Sequence, residues 1–194
     1  FSGKQTTLVV EYRSGDGRVG PVGDARRTHV YDLPLAELIA HSGPAGQVMH
    51  IGFVKLVDLH KIHREMGNRF FERNIRYGLG DSKAVNRALT RAFQQMVLER
   101  RESPAAFAFH HNGVTMFAEL LERVDGLYRV TAPRLLNGAQ TVTTFGEFLE
   151  ANRENPQFAE HSDRLEELRV MCRVLTNASQ EFVTSVTINN NRQN

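Results

Sequence analysis

A single cysteine, almost no net charge and no long apolar run set the first limits on this chain. The lone Cys172 excludes an intrachain disulfide and a cysteine-built zinc site, and it fits a reducing, cytoplasmic compartment. The 24 lysines and arginines nearly cancel the 22 aspartates and glutamates, leaving +2. That balance does not announce nucleic acid by itself, although local patches can still meet phosphate. No apolar run approaches the ~20 residues that a membrane helix needs, and no signal-peptide pattern opens the chain. Internal repeats, HExxH, GxSxG and a nuclease-like cluster of carboxylates are lacking too. The sequence opens at Phe1 and stops at Asn194 inside what reads as a motif, so a piece of a longer chain is expected.

What is present is ordinary globular material. Of the 194 residues, 41% are hydrophobic and 24% charged, enough for one domain, or one domain with a small appendage. A strand is expected over 6–13, followed by a glycine-rich loop over 14–27. THVYDLPL predicts a short strand ending at Pro34, and LAELIAHSG a short helix closed by Gly43. Residues 47–57 suit a buried strand. Val57, Leu59, Ile62 and Met66 predict a helix ending at Gly67. Lys83 to Arg101 predicts another, with Val85, Leu89, Phe93, Met96 and Val97 on one face and Asp81 or Ser82 as cap.

Further on, FAFHHNGVTMF reads as an apolar strand interrupted by polar residues. Asp125-Gly126 predicts a hairpin between two strand-like runs. LLNGAQT leads from a strand through a glycine into a helix, LRVMCRVLT is a buried strand, and 178–188 is placed as a helix. The order predicts an α+β (mixed α/β) fold, a central mixed sheet with flanking helices. Residues 1–49 are expected to form an N-terminal strand and loop extension, and 50–194 the core domain.

Four polar motifs carry the candidate chemistry. In LLNGAQT, Asn137, Gly138, Gln140 and Thr141 stand where a strand turns into a helix. The N–H groups at a helix start are unpaired and favour an anion by about 0.3–1 kcal/mol, and a glycine there lets a ligand approach the backbone. The plain alternative is a capped turn. In FHHNGVT, His111, Asn112 and Gly113 offer imidazole and amide groups able to read a base edge or phosphate, against a simple Asn-Gly turn. In FERNIR, Asn74 and the Arg76 fork suit phosphate, against a surface ion pair with Glu72. In TINNNRQN, Asn190, Asn191 and Gln193 are either solvated or engaged, because buried amides without partners cost about 1–3 kcal/mol each. His60 and His63, three apart on a helix, read better as a solvated face than as metal ligands. Cys172 reads as a buried structural thiol.

Taken in order, FFERNIRYGLG, AVNRAL, FAFHHNGVTMF, APRLLNGAQTVTTF and TINNNRQN resemble the AIPR family, the abortive infection phage resistance proteins, over residues 50–194. The sequence departs from the family pattern at His111, which stands where the first asparagine of an Asn-Asn-Gly element is expected. It departs again at Ala139, and in the final motif, which carries an extra residue. The resemblance implies a bacterial anti-phage setting. A weaker similarity of element order links the chain to ParB-like, sulfiredoxin-like and DGQHR-type domains, which implies nucleotide binding by analogy of fold alone.

The leading expectation is therefore a defence domain that binds nucleotide or nucleic-acid phosphate. Asn74, Arg76, His111, Asn112, Gly113, Asn137, Gly138, Gln140, Thr141, Asn190, Asn191 and Gln193 would form the site. The rivals are an interaction module braced by internal asparagine bonds, and a nuclease using Asp81 and Glu72. Magnesium enters only if the chain is a nuclease or nucleotide hydrolase. Flanking domains, other defence proteins or a second copy are the partners expected, without a membrane.

Overall fold

A computed structural model describes residues 28–74 and 83–192, the last two in their backbone alone. The expected first strand, the glycine-rich loop, the helix caps Asp81 and Ser82, and two of the site residues, Arg76 and Gln193, lie outside the described residues. So does the side chain of Asn191.

Among the described residues, eight strands form two sheets. The smaller is antiparallel and joins β1 (Val30–Leu33), β6 (Leu127–Thr131) and β5 (Leu120–Val124), in the order β1-β6-β5. Asp125 and Gly126 turn between β5 and β6 at φ +51° and +82°, the left-handed pair that a two-residue hairpin demands. The larger sheet has the order β2-β3-β8-β4-β7, made by β2 (Ala36–Ser42), β3 (Val48–Lys55), β8 (Arg169–Thr176), β4 (Val114–Phe117) and β7 (Arg134–Asn137). All its pairs are antiparallel except β4 with β8, so the sheet is mixed, as expected.

One face of the larger sheet carries α1 (Leu56–Met66), α2 (Lys83–Phe93) and α4 (Ala139–Ala151). Alternation along β8 sends Val170, Cys172 and Val174 into this core, as the pleat requires. Cys172 is fully buried there, and burial pushes its thiol up to about 12, so the structural reading of this residue holds. Helix α6 (Gln180–Arg192) covers the opposite face at the β4–β7 side, where Leu136, Leu175 and Val183 form a second small core. The remaining helical pieces are short: α3 (Phe107–His110), α5 (Pro156–Glu160) and 3-10 turns over 67–71, 104–106 and 162–167.

Four local expectations are corrected. Residues 36–42 form β2, not a helix. A seven-residue helix is marginal alone, and this segment instead pairs with β3 across the Pro44–Gly46 turn, with Gly43 N–H on the Gln47 carbonyl at 2.8 Å. Phe107–His110 is a helical turn and not strand, because Pro104 opens a 3-10 turn that runs straight into it; the strand starts at Val114. His60 and His63 do not line a solvated face. They are half-buried, with the His60 ring against Phe145 at 6.1 Å and the His63 ring stacked on Phe71 at 4.3 Å. The expected helix from Lys83 forms, but α2 passes into a π-helix over Gln94–Leu98 and the helical run stops at Leu98, short of Arg101. Arg164 holds that region from outside, donating to the Met96 and Glu102 carbonyls.

Phe145 seats α4 in the core. Its ring is fully buried and meets Phe93 edge-on at 5.4 Å. Phe145→Ala is expected to lower the unfolding free energy in urea by about 3–5 kcal/mol. A loss below about 1 kcal/mol would show that other contacts seat the helix.

Candidate functional site

Two glycines with positive φ stand side by side at one end of the β4–β7 ladder. Gly113 (φ +80°) precedes β4, and Gly138 (φ +101°) follows β7. The strands run antiparallel, so the start of one lies beside the end of the other. Neither position has room for a side chain. A Cβ on Gly113 would come within 2.8 Å of the Met171 carbonyl oxygen of β8, and one on Gly138 within 2.4 Å of Val114 Cγ1. Each glycine therefore lets its loop lie directly on the neighbouring strand, and the HHNG and NGAQT loops meet.

His111 joins them. Its Nδ1 accepts the Gly113 N–H at 2.9 Å, which leaves the proton of the neutral ring on Nε2. Nε2 then donates to Thr141 Oγ1 at 2.8 Å, and the ring stacks on Phe107 with centroids 5.3 Å apart. Thr141 is buried in the first turn of α4. Burial pushes the imidazole down to about 4, so it is uncharged at neutral pH. Gln140, one residue earlier, is exposed and donates to Asn86 Oδ1 on α2. Gly138 is the N-cap of α4 and has no side chain with which to cap that end. Asn112 is exposed beside His111.

A second group lies on the α6 side of the ladder. Asn190, in the last turns of α6, donates through Nδ2 to Thr115 Oγ1 at 3.3 Å and accepts at Oδ1 from Arg173 Nη1 at 3.5 Å. Thr115 is the ladder partner of Asn137 on one side and of Arg173 on the other. Between Thr115 and Met116 the register of β7 jumps by an extra residue, Leu136, which makes a bulge. The first group therefore continues into the second through the Thr115–Asn137 pair.

The FERN segment sits differently. Glu72 pairs with Arg134 and the Arg73 guanidinium lies 5.9 Å over the Phe117 ring. Arg134 and Phe117 are paired at the far end of the same ladder from the glycines. Asn74 follows them and is buried, its N–H on the Phe71 carbonyl at 2.8 Å. The partner of Glu72 is thus Arg134.

Three residues at or beside the site were missed by sequence reasoning. Arg173 had a visible signal, an arginine inside an apolar strand. Thr115 and Asn86 had none, since their roles depend on pairing between distant segments. Phe109 is a fourth surprise, standing 89% exposed in α3. Among the described residues no three His, Cys, Asp or Glu side chains gather as a metal site, and no helix is long and apolar enough to cross a membrane.

The His111 contact makes stability depend on pH. The imidazole of the unfolded chain takes up a proton near its ordinary 6.5, the folded one only near 4. Between those values the unfolded state binds more protons, so the contribution is complete above pH 6.5 and is lost as pH falls toward 4. Burial also lowers His50, His60 and His63, which share the trend. His111→Asn should flatten the slope of unfolding free energy over this range by up to roughly 1.4 kcal/mol per pH unit. An unchanged slope would show that His111 titrates as it does in the unfolded chain.

Comparison with known proteins places these motifs in one family. A family model described as AIPR protein matches residues 71–194, which contain both glycine loops, β8 and α6. No curated protein and no solved structure matches the chain. Membership of that family suggests a role in abortive infection, an anti-phage response. On a match over well over half of its length, the chain belongs to the AIPR family.

Proposed function

We propose that this chain binds the phosphate of a nucleotide or nucleic acid at the junction of its two glycine loops, as part of an anti-phage response. The supporting observation is the start of α4. Gly138, as N-cap, has no side chain to accept from the helix start, and the His111–Thr141 bond fixes the two loops together. An uncapped helix start attracts an anion through its orphan donors and its dipole. Asn112, Asn137 and Gln140 supply amides around it for sugar or base. The exposed Phe109 ring, two residues before His111, favours a ligand that carries a base, since an open aromatic face stacks on any nucleobase. Arg76, Asn191 and Gln193 enter this reading on their sequence motifs alone.

A rival reading has its own observation. His111–Thr141, Gln140–Asn86 and Asn190–Thr115 are all internal bonds, as an interaction module braced by its polar motifs would have. The two readings differ at Asn137, whose side chain makes no hydrogen bond to a described residue. A brace predicts that Asn137→Ala, which breaks none of these bonds, leaves the melting temperature and its response to ligand unchanged. A site predicts that the ligand effect itself weakens.

The test is thermal unfolding with a panel of nucleoside mono-, di- and triphosphates and a short single-stranded DNA. A ligand at a hundred times its Kd should raise the melting temperature by roughly 5–10 °C. Gln140→Ala and Arg76→Ala should each reduce that rise. Unchanged affinity in both variants would sink the site, and a panel without any effect would leave the interaction module as the better reading.

A further inference from the structure

Arg173 is an unusual residue for the middle of a sheet. It lies on β8, an interior strand, between Ile51 of β3 and Thr115 of β4. It is half-buried and has no carboxylate partner among the described residues. Elsewhere among the described residues Lys55 pairs with Glu166, Arg129 with Asp32 and Arg134 with Glu72, while Arg169, four residues earlier on β8, likewise leaves its buried Nη1 without a described partner. Arg164 spends its donors on two backbone carbonyls. Among the described residues, the one side-chain hydrogen bond of Arg173 runs to the amide oxygen of Asn190, at a long 3.5 Å. A guanidinium cannot shed its charge, and a partly buried charge without a counter-charge is costly. An anion bound here would supply the missing charge.

The surroundings match an oxyanion. Thr115 Oγ1 accepts from Asn190 Nδ2, so its own hydroxyl hydrogen remains to be donated. Asn137, the ladder partner of Thr115, brings an amide that bonds to no described residue. Asn190 sets the orientation by holding Arg173 with one end of its amide and Thr115 with the other. We infer that Arg173, Thr115, Asn137 and Asn190 form an oxyanion subsite on the α6 face of the sheet, specific for a phosphoryl group, with Arg173 as its cation. This rests on the phosphate reading above, because both share Asn137. It adds what the first group lacks, since the neutral His111 brings no positive charge.

The experiment uses inorganic pyrophosphate as probe, with the full chain. Thermal unfolding gives affinity, and the Arg173 Nε–H signal in a 15N spectrum reports contact directly without any substitution. Wild type should be stabilised by pyrophosphate, and the Arg173 Nε–H resonance should shift on titration. Arg173→Gln should weaken apparent affinity on the order of tenfold or more, as loss of a charge-assisted bond does. Arg173→Lys, which keeps the charge and loses the fork, should be intermediate, and the exposed Arg153→Gln beside the end of α4 should behave as wild type. If Arg173→Gln does not fold, the Nε–H signal and Arg173→Lys decide. An Arg173 resonance that stays fixed while pyrophosphate binds would overturn the subsite but leave the α4 phosphate site standing. A protein stabilised by neither pyrophosphate nor any nucleotide would overturn both.

Discussion

The site depends on two backbones lying closer to their neighbours than a side chain would allow. Gly113 rests on Met171 and Gly138 on Val114, both at positive φ. A side chain at either would strain the turn by about 1–2 kcal/mol and push a strand away from its neighbour. With both in place, β4 can start and β7 can end at the same level. The helix after Gly138 then begins directly against the loop that precedes Gly113.

That closeness produces a polar seam through the sheet. On one side, His111 spans from the Gly113 N–H to the Thr141 hydroxyl and is kept neutral by its burial. On the other, α6 lays Asn190 across Thr115 and Arg173. The strand pair between them, Thr115 with Asn137, is where the two meet. The aromatic core under α4, where Phe93 touches both Phe145 and Phe148, packs that helix against α2. Polar groups held this way are preorganised, and preorganisation is what lets few contacts recognise a charged ligand.

Much of this was legible where one residue forces a local choice. Asp125-Gly126 announced its hairpin, Gly67 closed α1, and LLNGAQT announced strand, turn and helix, because left-handed positions and helix starts accept few residue types. What was illegible depended on distant partners. Residues 36–42 became a strand because β3 was there to pair with. Phe107–His110 became a helical turn because Pro104 had already started one. Asn86 met Gln140, and Thr115 met Arg173, through packing that no local window contains. The end of the chain shows both sides. Its helix was expected over 178–188, yet α6 continues through the asparagine run to Arg192. The contact of Asn190 with Thr115 came from the fold.

The most direct measurement is a backbone 15N–1H spectrum of the full chain titrated with ATP and with a short single-stranded DNA. A phosphate site at the glycine loops predicts the largest shifts at the amides of Gly113, Ala139 and Gln140, with the Asp125–Gly126 hairpin unmoved. Shifts confined to that hairpin and β2, or no shifts with either probe, would contradict it.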